Sequence, residues 1–264
     1  MLMAVKNQLK VNFLSIKYAI MREMVNKVTF FSNIIFMILN NSCMIVQWIV
    51  LFSLKSDMGG YTFREVLLLW GMAAATYGVS HFFFKRCFSL SETINNGSLD
   101  NYITQPKNIL LSSITSDIEV SALGDIIFSI IVYFIYGFTI KGFILFIIFS
   151  ITGGLMITAI SVILHSLSFW FSNADMIADS GNNLMSNFAT YPDGIFKGVT
   201  KWLLFTIIPV GITNYIPVRA IILFNPTLLL INISICIILI ALAFLVFYLG
   251  LRRYSSTNLM NARI

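Results

Sequence analysis

From Phe143 to Phe171 the chain carries no Asp, Glu, Lys or Arg, and from Pro226 to Leu251 it again carries none. Each run exceeds the about 20 residues that a helix needs to cross a hydrocarbon core. Val28–Leu54 and Val66–Phe84 are two more runs of the same kind. A water-soluble fold cannot cover this much apolar surface. Composition agrees, with 58% of the 264 residues hydrophobic and 11% charged, against about 25% charged in soluble domains. The expected fold class is an all-α integral membrane protein.

Charge placement sets the expected orientation, because Lys and Arg accumulate on cytoplasmic loops. Lys6, Lys10, Lys17, Arg22 and Lys27 precede the first span, Lys85, Arg86 and Lys107 follow the second, and Arg252, Arg253 and Arg263 follow the last. Lys55, Arg64, Lys141 and Arg219 fall on the other side, with Lys197 and Lys201 unassigned. Both termini are then cytoplasmic and the number of crossings is even. Six are expected, at about 28–54, 65–84, 118–140, 143–171, 174–191 and 226–251. The net charge of +6 follows from this bias and gives no reason to invoke nucleic acid. Cys43, Cys87 and Cys236 show no metal-ligand or CxxC spacing and read as small packing residues. No cleavable signal peptide is expected, since the N-terminus opens polar and basic.

Residues 1–27 read as an amphipathic helix on the membrane surface. Leu9, Phe13, Ile16 and Ile20 form one stripe, Gln8, Asn12 and Ser15 fall away from it, and Lys6, Lys10 and Lys17 line its border, where long basic side chains snorkel. The polar stretch 85–108, ETINNGSLDNYITQPKN at its heart, is longer than a hairpin needs. A short helix is expected over Ser89–Leu99, stopped near Gly97. Pro106 then forces Gln105 toward an extended conformation before a new helix starts.

That stretch resembles the I-x-x-G-x-L-D-x-x-L-x-x-P segment of the type-2 ATP-binding-cassette (ABC) export permeases, in the subgroup of about 260-residue half-transporters. The matching positions are Ile94, Gly97, Leu99, Asp100, Ile103 and Pro106, with Ile103 in place of the usual Leu. GGYTFREVLLLWG from Gly59, FW at Phe169, YP at Tyr191, TIIPVGITNYIPVRAIIL from Thr206 and GLRRYSS from Gly250 agree in order. The resemblance implies a six-helix membrane domain over 28–264. It also implies a coupling helix in the 85–108 loop that docks, with the N-terminal interface helix, on a cytoplasmic ATPase. For 174–218, hydropathy alone favours Trp202–Val218 as the fifth crossing, since Ala174–Thr190 holds Asp175 and Asp179. The resemblance instead makes 174–191 the crossing and 198–218, with Pro209 and Pro217, a re-entrant hairpin in the outer leaflet.

No phosphate-binding GxxxxGK[ST] loop and no HExxH motif occurs, so ATP and magnesium belong on a separate ATPase chain and no metal is expected here. His81 and His165 read as packing residues, with His165 also a candidate for the translocation path or a helix interface. Asp125, within the third span, marks a candidate functional position. It faces an aqueous cavity, pairs with a base or meets water at the cytoplasmic end, and its place at the helix start favours the last. Asn33, Asn40 and Gln47, spaced by seven, share a face of the first span that suits a helix interface or a translocation path. Asn41 is the fourth amide of that span. The function expected is the permease subunit of an ABC exporter in a bacterial cell membrane. It would pair with an identical or paralogous permease and move an amphiphilic, lipid, peptide or drug-like substrate outward. An ATP-independent carrier or channel is the competing class.

Overall fold

The computed structural model describes residues 2–206 and 208–255; Ile207 and the tail cation Arg263 lie outside them. All of the regular structure described is helical, apart from one isolated antiparallel bridge between Met58 and Tyr61. The helices are α1 (Leu2–Glu23), α2 (Lys27–Leu54), α3 (Phe63–Phe84), α4 (Leu90–Asn95), α5 (Asp100–Ile103) and α6 (Ile109–Ile114). After these come α7 (Ala122–Gly137), α8 (Ile140–Ser166), α9 (Ala174–Ala189), α10 (Gly198–Thr206), α11 (Ile216–Leu223) and α12 (Pro226–Leu251).

Four helical stretches are long and apolar enough to cross a membrane: α2, α3 with its continuation to Asn95, α8 with its continuation to Phe169, and α12. A fifth arises if α10 and Gly211–Leu223, bent by 78°, count as one. The chain is therefore a multi-pass, all-helical membrane protein. The 16 residues of α7 rise about 24 Å at 1.5 Å each, short of the about 30 Å core. The α9 helix has the same 16 residues but a mixed polar sequence.

The third helix is the hub, because small residues let neighbours approach it. A Cβ on Gly78 would lie 2.8 Å from Ile126 and 3.1 Å from Asp125 of α7. On its other side Gly154 of α8 sits so close that a Cβ would meet Val79 at 2.6 Å and the Thr76 carbonyl at 3.0 Å. The α3 residues from Val66 to Thr76 are all buried. Its start is fixed by a capping box in which Thr62 and Glu65 satisfy each other's backbone N–H groups.

Two expected boundaries move. The helix expected from 118 begins at Ala122, because Asp117 and Glu119 are held in ion pairs while Ile118 and Val120 bury their side chains in non-helical backbone. The break before α8 falls at Phe138–Thr139, since Thr139 accepts a hydrogen bond from the Gly142 N–H and caps the helix there. Lys141 and Gly142, expected to separate the two spans, occupy its first turn. Gly142 is required at that point because a side chain would collide with the Tyr133 hydroxyl.

The 198–218 segment is a broken helical pair. Pro209, at the break, has no N–H to continue α10, and a π-helical turn, Gly211–Tyr215, leads into α11 with Pro217 in its first turn. Both prolines are buried.

Candidate functional site

Stretch 85–108 is built as a plug inserted beneath the helix bundle. A 3-10 turn, Lys85–Ser89, leads into α4, and Gly97 at φ +69° reverses the chain so that Leu99 N–H returns to the Thr93 carbonyl at 3.2 Å. A left-handed φ favours glycine there. Ile94 and Leu99 are fully buried, in one apolar cluster with Cys87, Leu90, Leu110, Ile114, Phe169 and Phe247. That cluster joins the segment to α8 and α12. Gly97 is buried and Asp100 half-buried, whereas Ile103 and Pro106 are exposed. The six motif residues therefore divide into an inner set that anchors and an outer set that faces away from the bundle.

The N-terminal helix is oriented by its polar side. Gln8 donates to Ser112 at 3.2 Å and accepts from the Asn108 N–H at 2.9 Å, and it also donates to Asn12 at 2.8 Å. Of the apolar stripe, Ile16 and Ile20 pack on a small cluster at the feet of α2, α3 and α7, while Leu9 and Phe13 stay exposed. Arg22 pairs with Asp117, which Arg86 approaches at 4.0 Å, and Lys85 pairs with Glu119 at 2.9 Å. The acids ahead of α7 thus collect bases from α1 and from the segment after α3. Tyr254 stacks edge-on against Phe169, 6.2 Å between ring centres, at this same end.

Above the segment, a cavity of about 370 Å³ opens between α2, α3, α7 and α9. Asn40, Asn41 and Asp125 line it, and Asn41 donates to the Asp125 carboxylate at 2.6 Å. Among the described residues no cationic side chain lies within ion-pair distance of Asp125. Trp70, Tyr77 and Tyr191 supply aromatic walls, and Ser186, Asn187 and Thr190 a polar one. His81, stacked on Phe88 at 4.0 Å, closes the end nearest the basic residues. Asn33 and Gln47 do not line it. Gln47 is exposed away from it, Asn40 is exposed at its rim, and Asn33 is half-buried. The buried amide is Asn41, one residue off the spacing-by-seven face, which is why periodicity alone passed over it.

His165 connects the two regions. Its Nδ1 meets the Ser91 hydroxyl of α4 at 2.7 Å, and its Nε2 meets the Asn182 amide of α9 at 3.2 Å, with Asp179 at 3.9 Å. A consistent network has Asn182 donating to Nε2, the Nδ1–H donating to Ser91, and Ser91 donating to the His165 carbonyl at 3.3 Å. Only the tertiary fold reveals Ser91 and Asn182 as its partners.

At the opposite end, Asp193 is fully buried and accepts from the Tyr61 hydroxyl at 2.8 Å. Arg219 bonds its other oxygen at 2.6 Å and Lys201 at 3.0 Å. Lys201, unassigned in the sequence, therefore sits with Arg219. Gly59 and Gly194 touch backbone to backbone beside it, with no room for a side chain on either. Burial raises the carboxyl pKa, but hydrogen bonds from Tyr61 and Lys201 and the charges of Arg219 and Lys201 outweigh it and hold the group below its ordinary value. The Tyr61 hydroxyl, buried and beside a carboxylate, is pushed up to about 12. A depressed carboxyl stabilises the fold fully above its unfolded pKa of about 3.9 and loses that contribution as pH falls through the lower folded value. Thermal unfolding in detergent should accordingly show stability dropping below about pH 4. Asp193→Asn should flatten that acid limb and lower stability at pH 7 by about 2 kcal/mol.

No curated protein and no solved structure matches the chain. A family profile described as ABC-2 family transporter protein does match, over residues 37–258. The matched region takes in α3, the cavity walls, the plugged segment and the broken helical pair. The chain is an ABC-2 family transporter protein, a membrane permease of the type-2 ATP-binding-cassette class.

Proposed function

We propose that this chain is the membrane half of an ATP-driven exporter, with six crossings and both termini in the cytoplasm. Two copies, or one copy and a paralogue, pair across the face formed by α2 and α9. The observation that carries this reading is the polar surface left uncovered there. Asn40 and Gln47 of α2 and Asp175, Asp179, Ser186 and Asn187 of α9 are all exposed. Charged and amide groups at such positions are costly against lipid and belong against water or another protein subunit. A central path between two such faces satisfies them. In this reading α7 and α9 complete the crossings, and the 198–218 pair dips into the outer leaflet, its irregular backbone covered by protein.

A separate ABC ATPase, carrying ATP and magnesium, docks on the outer residues of the 85–108 segment and on α1. Nucleotide-driven movement of that segment is carried into α8 and α12 through the shared apolar cluster. It drives an amphiphilic, lipid, peptide or drug-like molecule outward across a bacterial cell membrane. A conformational change of this kind needs contacts that differ between two states, and a segment both anchored and exposed supplies them. The test is affinity purification of the tagged chain co-expressed with each candidate ATPase. Stoichiometric ATPase is the expected result. Permease that transports with none bound would give the ATP-independent carrier reading the lead.

A further inference from the structure

We propose that the cavity beside Asp125 is a binding site for a bulky organic cation, an amphiphile with its ammonium or phosphonium centre at Asp125 and its apolar body against the aromatic wall. This deepens the export reading by naming its substrate class, and it rests on that reading only for the direction of movement.

Three observations converge. Asp125 faces the cavity with a single amide donor, Asn41, and no base among the described residues to balance it. A carboxylate in a membrane helix without a countercharge is costly, and a ligand cation removes that cost. The second observation is independent of charge. Trp70, Tyr77 and Tyr191 line the same cavity and give a ligand's apolar body an aromatic wall.

The third observation is the sign of the surroundings. The protein is basic overall, yet α7 and α9 contain no Lys or Arg, and α9 adds Asp175 and Asp179 to its exposed face. Met37 and Met44 offer adaptable apolar wall, and the Trp70, Tyr77 and Tyr191 rings suit a cation's charge. A volume of about 370 Å³ is within the range of small-molecule sites.

The probe pair is tetraphenylphosphonium and tetraphenylborate, alike in size and apolar surface but opposite in charge. Saturable binding to the detergent-purified chain is measured against protein-free micelles, for wild type, Asp125→Asn and Asp125→Glu, each first checked for an unchanged gel-filtration profile. Wild type should bind the phosphonium saturably and the borate at least tenfold more weakly. Asp125→Asn should lose tenfold or more for the phosphonium, and Asp125→Glu should retain most of it. Equal binding of the two ions, an unchanged affinity in Asp125→Asn, or no saturable phosphonium binding would each overturn the assignment. None of these results bears on whether an ATPase co-purifies, so failure here is distinguishable from failure of the export reading.

Discussion

Ile103→Arg is expected to leave the protein folded and strip it of its ATPase, while Leu99→Arg, four residues away in the same motif, is expected to unfold the plug. Ile103 is 40% exposed, an apolar knob among the exposed Asn101, Thr104, Gln105 and Pro106. Knobs of this kind carry a large share of docking energy, and truncating one typically costs more than about 1 kcal/mol. A charge placed there should weaken ATPase retention by tenfold or more, about 1.4 kcal/mol. Leu99 has no exposed surface and packs with Ile94, Leu110 and Phe169. An arginine at that point would bury an unpaired charge and overfill the cluster, a loss of about 4 kcal/mol or more. Co-purification alone cannot separate the two variants, so melting temperature in detergent is measured beside it. Ile103→Arg that still holds the ATPase, with Leu99→Arg as stable as wild type, would reverse the division into anchor and dock.

The second large effect concerns His165, where His165→Leu should preserve folding and ATPase binding but reduce substrate moved per ATP hydrolysed. The ring is 1% exposed and sits between Ser91 of the plug and Asn182 of α9. Leucine fills similar space but leaves both polar neighbours without the ring nitrogens, so movement of α4 no longer biases α9. Coupling energies of about 1–3 kcal/mol correspond to 5- to 150-fold, and a fall in the transport-to-hydrolysis ratio within that range is expected in proteoliposomes. His165→Gln, which can replace one of the two bonds, should recover part of it. A ratio equal to wild type in His165→Leu would show that the network holds the structure together without transmitting anything.

Membrane class, the four longest apolar helices, the helical N-terminal stretch and the place of the turn at Gly97 are all legible in the chain. Each depends on local quantities: an uncharged run, a stripe at helical spacing, a glycine where φ must be positive. The end of α7 and the start of α8 were misplaced by a few residues because Thr139 outcompeted the Lys141–Gly142 pair as a cap. That outcome depends on Tyr133 lying across Gly142. No local pattern marks the polar side of α1 as the one that, through Gln8, faces Asn108 and Ser112, about a hundred residues on.

The functional positions divide in the same way. Asp125 was recognisable because a lone acid in an apolar helix is conspicuous, yet its partner Asn41 and the indole of Trp70 became neighbours only through packing. Ile94, Gly97, Leu99, Asp100, Ile103 and Pro106 were legible as a motif. Which of them face inward was not, since α4 and α5 are too short for any apolar period to declare a face. Asp193 carries no local signal, and its role depends on Tyr61, Arg219 and Lys201 converging on it from three separate parts of the chain. Hydrophobic length determines that this chain enters a membrane, because transfer energy sums along the sequence. Which polar groups meet within that membrane is decided by the tertiary structure, because contact energies depend on residues that are distant in the chain.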